Sequence, residues 1–222
     1  MPPSPQPRPS FGSLGLSEPL VRATIDRGYR EPTLVQRQVI PCVLRGVDVW
    51  ASAPTGSGKT ASFVLPILER LSRRAPEPRA EKRAVVALIV APTRELAAQI
   101  GGHVEKYARH LEAPPRIRVV FGGVSVNPQM MALRGGADIV VATPGRLLDL
   151  VAKNALALSR VSTFVIDEAD RLLDRGFSDE LAQIVALLPS RRQTLLFSAT
   201  FPEGVDALAR AVLDAPTRVS VA

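Results

Sequence analysis

Short apolar runs at 47–53, 84–91, 117–121, 138–142, 163–166 and 194–197 alternate along this chain with segments of helical period. The helical segments begin with one capped by Ser17, running to Arg27 and stopped by Gly28, and one from Thr33 toward Gly46 bent at Pro41. Further helices are expected over 59–71, 93–110, 129–134, 144–152, between 166 and 188, and over 205–213, with Gly101-Gly102 weakening the fourth of the series. Strands that are apolar throughout are buried on both faces, and their alternation with helices predicts an α/β fold: a parallel β-sheet with helices on both faces. Such sheets bind ligands beyond the carboxyl ends of their strands. Gly56, Pro92, Gly122, Thr143, Asp167 and Ser198 all fall at or just past such ends.

The length, 222 residues with 46% hydrophobic content, supports one core and one domain. Residues 1–10 are proline-rich and read as a disordered leader, leaving 11–222 as the domain; 73–83, with Pro76 and Pro78, reads as a surface loop. Cys42 is the only cysteine, which excludes an intrachain disulfide and fits a cytoplasmic protein. With His103 and His110 the only histidines, a zinc site is not expected. The longest apolar run, 84–91, is too short to cross a bilayer, so no membrane role is expected. The formal charge of +7 favours a polyanionic partner without naming one. Of 28 basic residues only Lys59, Lys82, Lys106 and Lys153 are lysines. The arginine excess is read first as a compositional habit of the source genome, pointing to a bacterium, with phosphate recognition by the guanidinium fork as the alternative.

Ala53-Pro54-Thr55-Gly56-Ser57-Gly58-Lys59-Thr60 follows one strand and opens a helix. Glycines let successive N–H groups turn toward a phosphate, and a helix N-terminus adds a favourable dipole. In such a loop Lys59 reaches the β- and γ-phosphates and Thr60 ligates Mg²⁺. The strict pattern opens on Gly; here it opens on Ala53. Asp167-Glu168-Ala169-Asp170 stands after the strand at 163–166. Carboxylates at a strand end suit a hard cation. Asp167 is placed to hold Mg²⁺ partly through water, and Glu168 to polarise an attacking water.

Taken in order, these segments and several others resemble the DEAD-box RNA helicases, specifically their first RecA-like, P-loop domain, and the resemblance covers nearly everything after Ser10. Gly28-Tyr29-Arg30-Glu31-Pro32-Thr33-Leu34-Val35-Gln36 resembles the Q motif, and Phe11 stands seventeen residues before Gly28, where the family carries an isolated aromatic. The resemblance implies that Gln36 reads the adenine edge, that Tyr29 lies against its ring and that Phe11 belongs to the ATP site. An amide suits the first task because it offers a donor and an acceptor together. Pro92-Thr93-Arg94 resembles part of motif Ia, Gly122-Gly123 the glycine doublet, and Thr143-Pro144-Gly145-Arg146 motif Ib; these imply contacts to an RNA backbone, without sequence readout. Thr93 and Thr143 are also natural helix caps. Ser198-Ala199-Thr200 resembles motif III, which implies hydroxyls bonded to Asp170 and a link from hydrolysis to strand separation.

The family implies ATP and Mg²⁺ as cofactors, and a second RecA-like domain whose arginines complete the ATP site. The chain stops short of that domain and is read as a cut piece, a monomer that binds nucleotide but hydrolyses it poorly. Two other readings stay open at this stage: a related helicase acting on DNA, and an ATP-gated RNA clamp that does not unwind. Trp50, Met130-Met131 and Cys42 read as packing residues, Tyr107 and His110 as an ordinary helix surface, and Arg191-Arg192 as a solvated turn.

Overall fold

The computed structural model describes residues 9–74 and 84–221. The leader expected at 1–10 and the loop expected at 73–83 therefore fall largely outside the described residues. A short 3-10 turn (Gly12–Leu14) leads into α1 (Glu18–Asp26) and α2 (Leu34–Leu44). Then follow β1 (Val49–Ser52), α3 (Lys59–Ser72), β2 (Ala87–Val90), α4 (Arg94–Ala108), β3 (Ile117–Val120), α5 (Asn127–Leu133) and β4 (Ile139–Ala142). The remainder is α6 (Pro144–Ala152), β5 (Thr163–Ile166), α7 (Ala169–Asp174), α8 (Ser178–Leu187), β6 (Gln193–Ser198), α9 (Glu203–Val212) and β7 (Thr217–Ser220).

The strands form one parallel sheet in the order β3-β4-β2-β5-β6-β1-β7. Side chains alternate across it, as the two-residue period of a strand requires. Val49, Ala51, Ile89, Val165, Leu195 and Phe197 join one core with α1 to α4. Trp50, Leu88, Val90, Phe164, Ile166 and Leu196 join the other with the later helices. Each face is thus covered, and each buried Phe or Leu contributes about 1.5–3 kcal/mol of transfer free energy.

Local signals set several boundaries. Thr33 caps α2 through a reciprocal capping box with Gln36, and Gly28 ends the preceding segment at φ +79°. Ser17 stands at the N-cap of α1 but its hydroxyl makes no cap bond; the Ser17 N–H instead donates to Glu69 Oε2 at 2.7 Å. Strand β7 was absent from the expectation. Its four residues carry one buried side chain, Val219, so no apolar run announces it. It forms only because β1 offers a free edge. Gly101, expected to weaken α4, has a packing reason: a Cβ there would stand 2.3 Å from Val119 Cγ2. Its bare backbone lets α4 close on β3.

Candidate nucleotide site and nucleic-acid edge

The loop between β1 and α3 has the backbone its glycines permit, with Gly56 at φ +84° and Gly58 at φ +92°. Only glycine takes these values without strain. Pro54, Thr55 and Gly56 are exposed, Ser57, Gly58 and Thr60 half-exposed, and Ala53 buried. Lys59 is buried and its Nζ donates to the Ala53 carbonyl at 2.6 Å. A phosphate entering the loop would take that donor in exchange. Gln36 is buried beside the loop. Its Oε1 accepts from the Thr33 N–H at 3.0 Å and its Nε2 donates to the Gly58 carbonyl at 3.1 Å. One amide hydrogen and one oxygen lone pair are left over, the pair that an adenine edge would need. Tyr29 is 43% exposed, with the Arg27 guanidinium 5.9 Å from its ring centre.

The acidic cluster sits beyond β5. Burial pushes the Asp167 carboxyl up to about 6; Lys59 opposes the shift, and the charges of Glu168 and Asp170 add to it. A fully buried carboxylate pressed by two like charges is a site that gains from a cation. The oxygen donors of Asp167 and Thr60 suit Mg²⁺, which takes one or two protein oxygens and keeps waters and phosphate oxygens for the rest. Glu168 is held at φ +52°, unusual for a residue with a side chain, and accepts from Arg171 Nη1 at 3.1 Å. Strain of this kind collects where a side chain has to be aimed.

Asp170 is the hub of the second half of the site. Its Oδ2 accepts from the Ala199 N–H at 3.2 Å, the Thr200 N–H at 3.0 Å and the Thr200 hydroxyl at 3.0 Å. Its own N–H donates to Ser198 Oγ at 3.3 Å, and that hydroxyl donates to the Thr200 carbonyl at 2.6 Å. Desolvation raises the Asp170 pKa, but hydrogen bonds to its carboxyl, those from Thr200 and Arg171 among them, outweigh it and hold the group below its ordinary value.

The three segments expected at a nucleic acid meet along the same edge. The Gly122 N–H donates to Thr143 Oγ1 at 3.3 Å, and Arg146 Nη2 donates to the Val124 carbonyl at 2.7 Å. Arg94 lies against Gly123, 3.9 Å from where a Cβ would stand. Thr93 caps α4 by accepting from the Leu96 N–H at 3.0 Å, whereas Thr143 makes no cap bond and holds Gly122 instead. Pro92 and Pro144 are buried, and Gly145 is exposed. The Arg146 side chain is only 9% exposed, beside Asp149, and its Nη1 is buried with no partner. That orphan donor is chemistry waiting for an acceptor.

Comparison with known proteins gives this arrangement its relatives. The sequence profile described as DEAD/DEAH box helicase matches residues 33–208. The chain belongs to the DEAD/DEAH box helicase family. Among curated relatives, DEAD-box ATP-dependent RNA helicase 24 of Oryza sativa subsp. japonica is 44% identical over 218 residues, covering 98% of this chain and 28% of that protein. The DEAD-box ATP-dependent RNA helicase CshA of Streptococcus pneumoniae is 42% identical over 212 residues, covering 96% of this chain and 39% of that protein. A solved DEAD box protein from Methanococcus jannaschii superposes with a TM-score of 0.85 at 35% identity, over 96% of this chain and 56% of that one. The chain spans roughly a quarter to two-fifths of these curated relatives; its parallel sheet covered by helices is the fold expected from the strand pattern, and it is the RecA-like fold that the family resemblance implied.

Within this helicase domain some expected residues stand elsewhere. Phe11 is 2% exposed and packs in the core with α1 and α2, so in this structure it has no open face toward a base. Tyr107, expected on a helix surface, is 1% exposed, with the Arg27 guanidinium 4.9 Å from its ring centre. His110 does remain near the surface, paired with Asp26 at 2.6 Å. Trp50 and Cys42 are buried as expected, but Met131 is 54% exposed. Sequence reasoning overlooked Arg171, and it placed Thr33 at a helix start without its bonds to Gln36. Their signal was spacing alone: Arg171 lies three residues after Glu168 on a helix, and Thr33 three before Gln36.

Proposed function

We propose that this chain is the ATP-binding, first RecA-like half of an ATP-dependent RNA helicase, coupling ATP binding and hydrolysis to RNA binding and local duplex opening. The observation that carries the reading is the Asp170 clamp. One carboxylate of the acidic motif holds three donors from the Ser198-Ala199-Thr200 turn, so a change at the nucleotide is transmitted to the end of β6.

In this reading Lys59 leaves the Ala53 carbonyl for the β- and γ-phosphates, and the loop N–H groups hold the remaining oxygens. Thr60 and Asp167 would hold Mg²⁺, which when bound neutralises charge on the phosphates. Glu168 orients the attacking water and takes its proton. Gln36, already tied to Gly58, and Tyr29 receive the adenine. Gly122, Gly123, Thr143, Arg94 and Arg146 meet RNA phosphates, with 2′-hydroxyl contacts giving the preference for RNA. The arginines that complete such a site come from a second, similar domain, and an arginine of this kind is worth roughly 10³–10⁵ in rate. These 222 residues alone are therefore expected to bind ATP and turn it over slowly.

Equilibrium binding of an ATP analogue and steady-state hydrolysis, with and without single-stranded RNA, test the reading. Binding lost in Lys59→Ala and hydrolysis lost with binding kept in Glu168→Gln are the expected results. Rapid RNA-stimulated turnover by these residues alone would show that no second domain is needed. RNA release unaffected by nucleotide state would remove the coupling.

A further inference from the structure

Helix α3 carries positive charge at both ends. Its N-terminus presents Lys59 to the phosphate loop; Arg70 lies in its last turn, Arg73 is its C-cap and Arg74 follows. Fourteen residues separate the ends by about 20 Å. The three arginines line a cavity of about 380 Å³ at the amino ends of β2 and β5, the edge of the sheet opposite the nucleotide loop. Ile67, Leu71 and Val86 supply apolar lining, and Ser162 and Thr163 lie at the start of β5.

The three guanidinium groups are not equally compensated. Arg73 is satisfied: Nε donates to Glu69 Oε1 at 2.8 Å and Nη2 to the Gly15 carbonyl at 3.2 Å. Both Glu69 oxygens are engaged, Oε1 by Arg73 and Oε2 by the Ser17 N–H. Arg70 is half-buried, and its partner is neutral: Nη1 donates to Gln193 Oε1. Gln193 is in turn fixed by donating to the Val43 carbonyl at 3.2 Å and the Val47 carbonyl at 2.7 Å. Arg70 is therefore held in place by a rigid neighbour that brings no negative charge. Among the described residues, no carboxylate forms an ion pair with Arg70 or Arg74. Desolvation and the nearby charge of Arg74 both push the Arg70 pKa down.

Cations at a helix C-terminus complement the dipole by about 0.3–1 kcal/mol, which accounts for exposed Arg73 and Arg74. It does not account for a half-buried Arg70 that lines the same cavity as Arg74, where burial and like charge both oppose it. A guanidinium pair with unfilled donors, beside an apolar wall, matches an anion carrying an apolar body. Phosphate suits the fork of an arginine better than a single-charged group does. We propose that this cavity is a second anion site of the domain, binding a phosphate monoester whose phosphate lies on Arg70 and Arg74 and whose apolar body lies on Ile67, Leu71 and Val86. The site is distinct from the nucleotide loop and stands whether or not the chain is an ATPase.

Phenyl phosphate is the probe. It is titrated into the Lys59→Ala chain, which disables the nucleotide loop, while the amide resonances of Val86, Ala87 and Thr163 are followed. Saturable shifts with millimolar affinity are expected, with benzoate weaker by at least tenfold and phenol silent. Arg74→Ala, at an exposed position, and Arg70→Gln each weaken binding at least tenfold. Shifts that stay linear to about 20 mM, or Arg74→Ala binding as tightly as its parent with the fold intact, would overturn the site. Benzoate binding as tightly as phenyl phosphate would overturn its assignment to phosphate.

Discussion

Gln36 donates its side-chain N–H to the carbonyl of Gly58 at 3.1 Å, joining the start of α2 to the phosphate loop across 22 positions of sequence. The bond makes the loop and α2 one unit. A Cβ at residue 58 would stand 2.3 Å from that Nε2, and residue 58 has φ +92°. Gly58→Ala is therefore expected to displace Gln36 and to cost about 1–2 kcal/mol of backbone strain. Nucleotide affinity should fall at least tenfold in a calorimetric titration. Wild-type affinity in Gly58→Ala would show that the bond has no part in binding.

Thr200→Val removes one of three donors to Asp170 Oδ2 and leaves the two backbone N–H groups. A loss of about 1 kcal/mol of stability is expected at neutral pH. Asp170 has its pKa depressed by folding, so the stability it contributes is present above its unfolded value of 3.8 and fades as pH falls through the lower folded value. The difference between variant and parent should therefore shrink in acid. A difference that is the same at pH 7 and pH 3 would place the effect elsewhere.

Asp167 has the opposite sign. Its folded pKa of about 6 lies above the unfolded 3.8, so its ionised form opposes folding fully above pH 6, and the penalty disappears as pH falls toward 4. In the absence of metal and nucleotide, Asp167→Asn should be more stable than the parent at pH 7.5, by on the order of 3 kcal/mol. The advantage should vanish near pH 4, as read by denaturant unfolding at each pH. A variant less stable than its parent at pH 7.5 would mean that the Lys59 attraction outweighs burial.

Gly101→Ala sets helix propensity against packing. Alanine gains about 1 kcal/mol in a helix interior, but its methyl would meet Val119 Cγ2 at 2.3 Å. Overpacking of this kind costs about 1–3 kcal/mol, so a net destabilisation is expected. Val119→Ala in the same chain should relieve it. A double-mutant cycle with no coupling energy would exclude the contact as the cause.

The alternation of apolar and helical segments was enough to place six strands in a doubly covered parallel sheet, because burial on both faces leaves a solid apolar run in the sequence itself. The phosphate loop and the acidic cluster were legible for a similar reason, whereas the Ser198-Ala199-Thr200 turn was read only through the family resemblance. The first two are contiguous stretches whose backbone and charge are set locally, by Gly56 and Gly58 at positive φ or by Asp167 at a strand end. What depends on contacts between distant segments was not legible. Strand β7 exists through pairing with β1, and the burial of Phe11 and Tyr107 follows from how α1, α2 and α4 cover the sheet. The engagement of Arg146 with Val124, of Gln36 with Gly58 and of Arg70 with Gln193 spans 22, 22 and 123 positions. A local pattern carries no record of such partners; they are chosen when the helices dock, by which side chains the close-packed layers bring within hydrogen-bonding reach.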